Sequence, residues 1–157
     1  MKGFIKDAVG NMDLLKMEMT AFLCSRKISV SVVMECYDWA IQQRMKGTCV
    51  ISGFHSRLER DIFELLSEGK QPIIHVLNRG LKSSWDQKTQ SLLDSGRLLI
   101  ITPFGKEIEY GTDETGMIRN RLVLDLAHKV KCGHISENGN LKKLTQSRFS
   151  CDFHKSD

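Results

Sequence analysis

The chain of 157 residues is long enough to bury one sheet between helices but too short for two full-sized hydrophobic cores. Its content of 41% hydrophobic and 27% charged residues is typical of a globular domain. No apolar stretch is long enough to cross a bilayer, and the N-terminal residues lack the apolar run and cleavage site of a secretory signal. We therefore expect one cytoplasmic domain spanning residues 1–157, without membrane contact.

The net charge and the spacing of the cysteines limit the classes of ligand that we expect. The net charge of +4 is mildly basic, which favours partners that carry phosphate. The five cysteines are scattered along the chain and match no zinc or redox motif, so no metal or cofactor is expected. Cys24, Cys49 and Cys132 lie in apolar runs, which is typical of cysteines that pack as small hydrophobic side chains.

Short β-rich runs alternate with helical patterns along most of the chain. Residues 1–16 read as a short amphipathic extension and residues 147–157 as a polar tail. Ser29 is a predicted N-cap, and Gly47 is predicted to end the first helix. Between the extension and the tail, strands are predicted at residues 20–24, 48–52, 72–77, 97–101 and 130–135, and helices at residues 29–45, 85–95, 115–128 and 138–146, with a further helix between Leu58 and Gly69.

This order predicts an α/β fold, namely a three-layer Rossmann-like domain with a mostly parallel sheet of about five strands, because parallel neighbours need crossover connections. In the helix at residues 115–128, Ile118, Leu122 and Leu126 are predicted to face the core. Open sheets of this kind bind ligands beyond the carboxyl ends of their strands. The turns that follow the strands are therefore the places to look for functional side chains.

The first such turn contains Ser25, Arg26 and Lys27 just before a predicted helix. Free amides and the positive end of the helix dipole favour an anion at that position, and an arginine adds a bidentate grip on phosphate. We therefore predict a phosphate site at this turn.

The turn after the second strand has the same character. Gly53 permits close approach of a ligand, Ser52 offers a hydroxyl, Ser56 can cap the helix that follows, and His55 adds a donor. Phe54 offers a ring on which a base could stack. A second phosphate-binding turn is predicted here.

Further candidates follow the later strands. Arg79 stands beside a glycine after the third strand, and Arg119, Asn120 and Arg121 lie in the helix after the fourth, where helical spacing makes the two arginines diverge. The Asn138-Gly139 turn after the fifth strand suits a tight bend that presents amides to an anion.

In their order along the chain, these residues resemble the motifs of the DNA-processing protein A (DprA/Smf) family. The motifs are Ser25-Arg26, Ser52-Gly53, Arg119-Asn120-Arg121 and Asn138-Gly139, and the similarity covers residues 20–144. The resemblance implies a Rossmann-like core from a wider nucleotide-sensing superfamily, with a basic pocket for single-stranded DNA. It also implies a role in DNA uptake during natural transformation and in DNA recombination, and a homodimer.

The sequence departs from the family at two motifs. Cys24 stands where the family usually has glycine, and residues 54–58 replace its Ala-Arg-Gly-Ile-Asp run. The chain resembles an isolated core without a further helical domain or winged helix, so neither full recombinase loading nor a recombinase partner is expected. A small nucleotide is then a competitor to DNA as the ligand.

Three classes of function stay open at this point. The first is a nucleic-acid-binding module in which the turn cations contact phosphates and Phe54 stacks on a base. The second is a domain that senses one small nucleotide. The third is a nucleotide N-glycosidase, but the Pro-Gly-Gly-x-Gly-Thr turn of those enzymes is missing from residues 136–141. No catalytic triad order, Walker loop or carboxylate pair stands at a strand end, so we expect binding rather than catalysis.

Overall fold

The computed structural model describes residues 4–24 and 28–133. In this part of the chain, six strands and four α-helices alternate, and a 3-10 helix (Met12–Lys16) follows the first strand. The strands are β1 (Asp7–Gly10), β2 (Met19–Leu23), β3 (Cys49–Ser52), β4 (Ile73–Val76), β5 (Leu98–Thr102) and β6 (Lys129–Cys132), and the helices are α1 (Val30–Lys46), α2 (Arg57–Ser67), α3 (Gln87–Asp94) and α4 (Asp113–Leu126). The helix predicted at residues 138–146 and the predicted tail lie outside the described residues.

The strands form one sheet in the order β1-β5-β4-β3-β2-β6. All neighbouring strands are parallel except β1, which runs antiparallel to β5. Residues of α1, α2 and α3 pack on one face of the sheet, and α4 with the 3-10 helix packs on the other. The predicted three-layer α/β fold with a mostly parallel sheet is therefore confirmed.

The strand β1 corrects the sequence analysis, which assigned residues 1–16 to an amphipathic extension and expected about five strands. In the structure Asp7 lies opposite Thr102 and Gly10 lies opposite Leu99, so this segment forms the edge of the sheet. A four-residue strand with an acid at one end and a glycine at the other has no readable alternation. Its conformation is imposed by pairing with the fully buried β5.

Local capping explains where the helices begin and end. The Ser29 hydroxyl accepts from the Val32 amide, and Gly47 ends α1 with a positive φ of 74°, both as predicted. The helix α4 begins two residues earlier than predicted, because Thr112 caps it. Ile118 is 43% exposed on this helix, so its predicted place in the core is wrong.

The core consists of alternating strand side chains that point to the two helix layers. Cys24 and Cys49 are buried free thiols, as expected for cysteines in apolar runs, and Cys36 in α1 is a further buried free thiol. Cys132, which was expected to pack in the same way, is buried but disulfide-bonded, and that expectation is corrected. Burial raises the pKa of Cys36 to about 11 and that of Cys49 to about 12, so both stay protonated. None of the helices in the described residues has the length and apolar content needed to span a membrane.

The attachment of β1 generates a stability prediction. Gly10 has a φ of 110°, and a Cβ there would collide with the carbonyl oxygen of Leu98. Gly10→Ala is expected to lower the free energy of unfolding by about 3 kcal/mol, because it adds a backbone clash to the strain of a positive φ. Gly47→Ala is the control. Gly47 has a φ of 74° with open space around it, so strain alone should cost about 1 kcal/mol. Urea unfolding followed by circular dichroism measures both, and equal losses would contradict the proposed clash.

Candidate nucleic-acid interface

The parallel strands β2 to β6 end at the same side of the sheet, which we call the carboxyl edge. Gly53 directly follows β3, and Arg79 lies three residues beyond β4. Arg119 reaches Gly53 from α4. The structure thus brings these three predicted site residues to the edge at which open α/β sheets bind ligands.

A buried carboxylate organises the turn after β3. One oxygen of Glu59, Oε1, accepts from the amides of His55 at 2.9 Å and Ser56 at 3.1 Å. The other, Oε2, accepts from the Cys24 amide at 3.2 Å, which ties the end of β2 to the start of α2. The Ser56 hydroxyl caps the helix by accepting from the Glu59 amide. The His55 and Ser56 amides are therefore already bonded to the chain's own carboxylate and are not free to hold the phosphate that was predicted at this turn.

Phe54 also differs from its predicted role. Its φ of 45° turns the residue inward, and it is only 5% exposed. Its ring packs edge-on against Phe63 and His75, with centroids 5.0 and 5.4 Å away. The Ser52 hydroxyl accepts from the Phe54 amide and fixes the bend. Phe54 is thus a core residue, and its predicted stacking on a base is wrong.

Arg119 lies against the backbone of Gly53. A Cβ at Gly53 would lie 2.5 Å from the guanidinium carbon, so glycine leaves room for the Arg119 side chain in its observed position. The Nε of Arg119 donates to the Asn120 side chain at 2.7 Å, and its two terminal nitrogens bond to no described residue. Burial lowers the pKa of Arg119, while the nearby negative charge of Glu59 raises it. The guanidinium stays charged, and its side chain is held in one direction.

Arg79 is the second cation of the carboxyl edge. Its carbonyl oxygen accepts from the Thr102 hydroxyl at 2.5 Å, which anchors the loop after β4 to the end of β5. Its Nε is buried and has no hydrogen-bond acceptor among the residues that the structure describes. Such groups are rare in native proteins, because an unpaired buried donor is costly.

The loops after β4 and β5 pack into one surface. The Gly80 amide donates to the Ile108 carbonyl at 2.9 Å, and the Asn78 side chain lies against Gly111. Four exposed acids lie in the loop after β5 and in the first turn of α4, namely Glu107, Glu109, Asp113 and Glu114. They limit the spread of positive charge, so the cationic part of the edge stays small.

The remaining predicted residues divide into two groups. Arg121 is exposed, two positions beyond the buried Arg119, so it points to another side of α4 and does not join the edge. His55 is exposed beside the Glu59-bound turn. Five predicted residues lie outside the described part of the chain, namely Ser25, Arg26, Lys27, Asn138 and Gly139.

Two structurally important residues were missed by the sequence analysis. Glu59 had a readable signal, because serine followed three residues later by glutamate is a capping box, and the box is present here. His75 lies within β4, and its Nε2 is 3.0 Å from the Gly53 carbonyl oxygen. A single histidine inside an apolar strand gives no such signal.

The Glu59 contacts predict a strong effect on stability. Glu59→Ala is expected to lower the free energy of unfolding by about 3 kcal/mol or more, because it leaves the buried Cys24 amide and the partly buried amides of His55 and Ser56 without an acceptor. Glu64→Ala is the control, since that residue makes an exposed ion pair with Lys88 and should cost at most about 1 kcal/mol. Chemical unfolding of both variants measures the difference. A loss below that of the control would show that the amides find other partners.

His75 predicts a dependence of stability on pH. Burial lowers its pKa to about 4, and the positive charge of Arg119 adds to this effect. Because the unfolded chain binds the proton more readily, stability is complete above about pH 6.5 and declines toward pH 4. Between about pH 7.5 and 5, the free energy of unfolding should fall by about 2 kcal/mol less in His75→Gln than in the unchanged protein. The glutamine keeps a donor for the Gly53 carbonyl but does not titrate. Identical pH profiles of unfolding for both proteins would contradict this.

Comparison with known proteins addresses the fold. No protein-family model matches the sequence, and no curated protein matches it. Among solved structures, the chain is similar to DNA processing protein A from Streptococcus pneumoniae, with a TM-score of 0.75 and 17% identity over 96% of this chain and 54% of that chain. It thus spans about half the length of the pneumococcal protein.

A second similar structure is that of DNA processing protein A from Helicobacter pylori, a protein that binds single-stranded DNA. Its TM-score is 0.75, with 16% identity over 96% of this chain and 71% of that chain. At such identities the likeness is one of fold. The chain has the Rossmann-like fold of DNA processing protein A, as the resemblance of its motifs implied.

Proposed function

We propose that this protein binds single-stranded DNA at the carboxyl edge of its sheet, with Arg79 and Arg119 as phosphate contacts. The observation that carries the proposal is the state of these two guanidinium groups. Arg119 is 5% exposed and Arg79 has a buried, unpaired Nε, yet within the described residues neither forms an ion pair with a carboxylate. A buried guanidinium without a carboxylate partner gains charge-assisted hydrogen bonds when an anion binds to it.

The arrangement of the arginines favours a phosphodiester chain over a single phosphate. Arg79 follows β4 and Arg119 lies over the end of β3, so the two cations come from neighbouring strand ends rather than from one cradle. The amides that could cradle a single phosphate at the β3 turn are bonded to Glu59. Single-stranded nucleic acid binds along such rows of separate cations. The DNA binding of the similar H. pylori protein supports the same ligand.

The proposal extends to residues that the sequence analysis named and the structure does not describe. Arg26 and Lys27, with Ser25, follow β2, the strand next to β3, and Asn138-Gly139 follows β6 in sequence. We propose that they lengthen the same row of phosphate contacts. We also propose a cytoplasmic role in DNA uptake or recombination, carried out by a homodimer, as the resemblance implies.

The binding proposal predicts a specific pattern among three arginines. Arg79→Gln and Arg119→Gln should each weaken binding of an oligothymidylate of about 20 nucleotides by roughly tenfold, because each removes a charge-assisted phosphate contact worth about 1.5–3 kcal/mol. Each should also reduce the slope of log affinity against log salt by about 0.7. Arg121→Gln, on another side of α4, should change affinity by less than about threefold. Fluorescence anisotropy over a range of salt concentrations measures all three.

Two outcomes would contradict the proposal. One is binding that is equally weakened by all three substitutions, which would indicate a diffuse charge effect rather than a site. The other is thermal stabilisation by a mononucleotide without any binding of the oligonucleotide, which would favour a domain that senses a small nucleotide. Circular dichroism of each variant checks that the fold is retained.

A further inference from the structure

A cleft of about 540 Å³ lies at the opposite side of the sheet from the carboxyl edge. Its floor comes from the first residues of β2, β3 and β6, and its wall from the last two turns of α1. We call it the amino-edge cleft. Its volume falls within the range of small-molecule sites and exceeds what an inorganic anion needs.

The charged side chains that line this cleft are mostly cationic. They are Lys46, Lys129 and Lys131 against one acid, Glu18. Glu18 forms an exposed ion pair of 3.4 Å with Lys129, and Lys46 is exposed at the end of α1. Lysine ammonium groups are compact point charges that suit a phosphate.

A buried amide gives the cleft a second, independent feature. The side chain of Gln43 lines the cleft, is 7% exposed as a residue, and forms no hydrogen bond with any described residue. Its backbone carbonyl is already occupied, since it accepts from the amides of Gly47 and Thr48. The amide group lines the open cleft and can offer both a donor and an acceptor to a partner there. The ring edge of a nucleobase offers both.

The apolar part of the lining completes the pattern. Trp39 lines the cleft, and its ring stacks on Phe22 with centroids 5.3 Å apart, so its position is fixed by the core. Met17 and Val130 add apolar surface nearby. A fixed aromatic ring beside an unpaired amide is a suitable surface for a flat heterocycle.

We propose that the amino-edge cleft binds an aromatic phosphomonoester of mononucleotide size. Gln43 pairs with the edge of its ring, Trp39 supports the ring, and the lysines hold the phosphate. This site goes beyond the proposed DNA interface, because it shares no residue with Arg79, Gly53 or Arg119 and lies at the other ends of the strands.

The test uses the full chain with Trp85→Phe, which leaves Trp39 as the single tryptophan. The four nucleoside 5′-monophosphates are titrated while Trp39 fluorescence is recorded, with the matching nucleosides and inorganic phosphate as partial probes. At least one monophosphate should give a saturable change in fluorescence. Its nucleoside, which lacks the phosphate, and inorganic phosphate, which lacks the ring, should each bind at least about tenfold more weakly.

Two neighbouring glutamines provide the matched pair of variants. Gln43→Ala should weaken binding of the monophosphate by about tenfold. Gln42 is exposed on the same helix, so Gln42→Ala should change this affinity by less than about twofold. If Gln43→Ala fails to fold, the exposed Lys46→Ala replaces it with an expected loss of about fivefold, with Lys88→Ala as its control.

The proposal is overturned if none of the four monophosphates gives a saturable change at low millimolar concentration. It is also overturned if the two glutamine variants, or the two lysine variants, bind alike. Oligonucleotide binding is measured on the same samples. Its retention in Gln43→Ala and loss in Arg79→Gln would separate this site from the DNA interface.

Discussion

The carboxylate of Glu59 fixes the geometry on which the carboxyl edge depends. It is 5% exposed and accepts from the amides of Cys24, His55 and Ser56, which belong to the end of one strand and the start of one helix. A buried carboxylate is tolerated when its oxygens accept hydrogen bonds, and the three amides supply these. The turn after β3 is therefore rigid before any ligand arrives.

This internal anion changes what the edge can recognise. In many α/β proteins the amides at a helix start bind the ligand's phosphate directly. Here those amides are already bonded, so an external anion meets guanidinium groups instead. Gly53 provides the room for Arg119, and Asn120 orients it, while Thr102 anchors the loop that carries Arg79. In the proposed interface, the phosphates are therefore contacted by charged side chains rather than by backbone amides, and this places fewer demands on the geometry of the ligand.

The sequence predicts the repeating units well because each one carries its own local signals. Ser29 and Gly47 bound α1 as expected, since caps depend on neighbouring residues alone. The edge strand β1 and the inward turn of Phe54 were not predictable in this way, since both depend on contacts distant in sequence. The divergence of Arg119 and Arg121 was predictable from helical spacing, but which of them meets Gly53 depends on how α4 packs on the sheet.

The parallel sheet also separates its two cationic regions. Strands of four or five residues span roughly 13–17 Å, so the amino-edge cleft and the carboxyl edge lie farther apart than the Debye length of about 8 Å at physiological salt. An anion bound at one edge therefore does little to the electrostatic potential at the other. Coupling between them would require a shift of α1 or of the strands themselves. Those strands carry the fully buried side chains of both core layers, which oppose such a shift. We therefore expect the two proposed sites to bind their ligands independently.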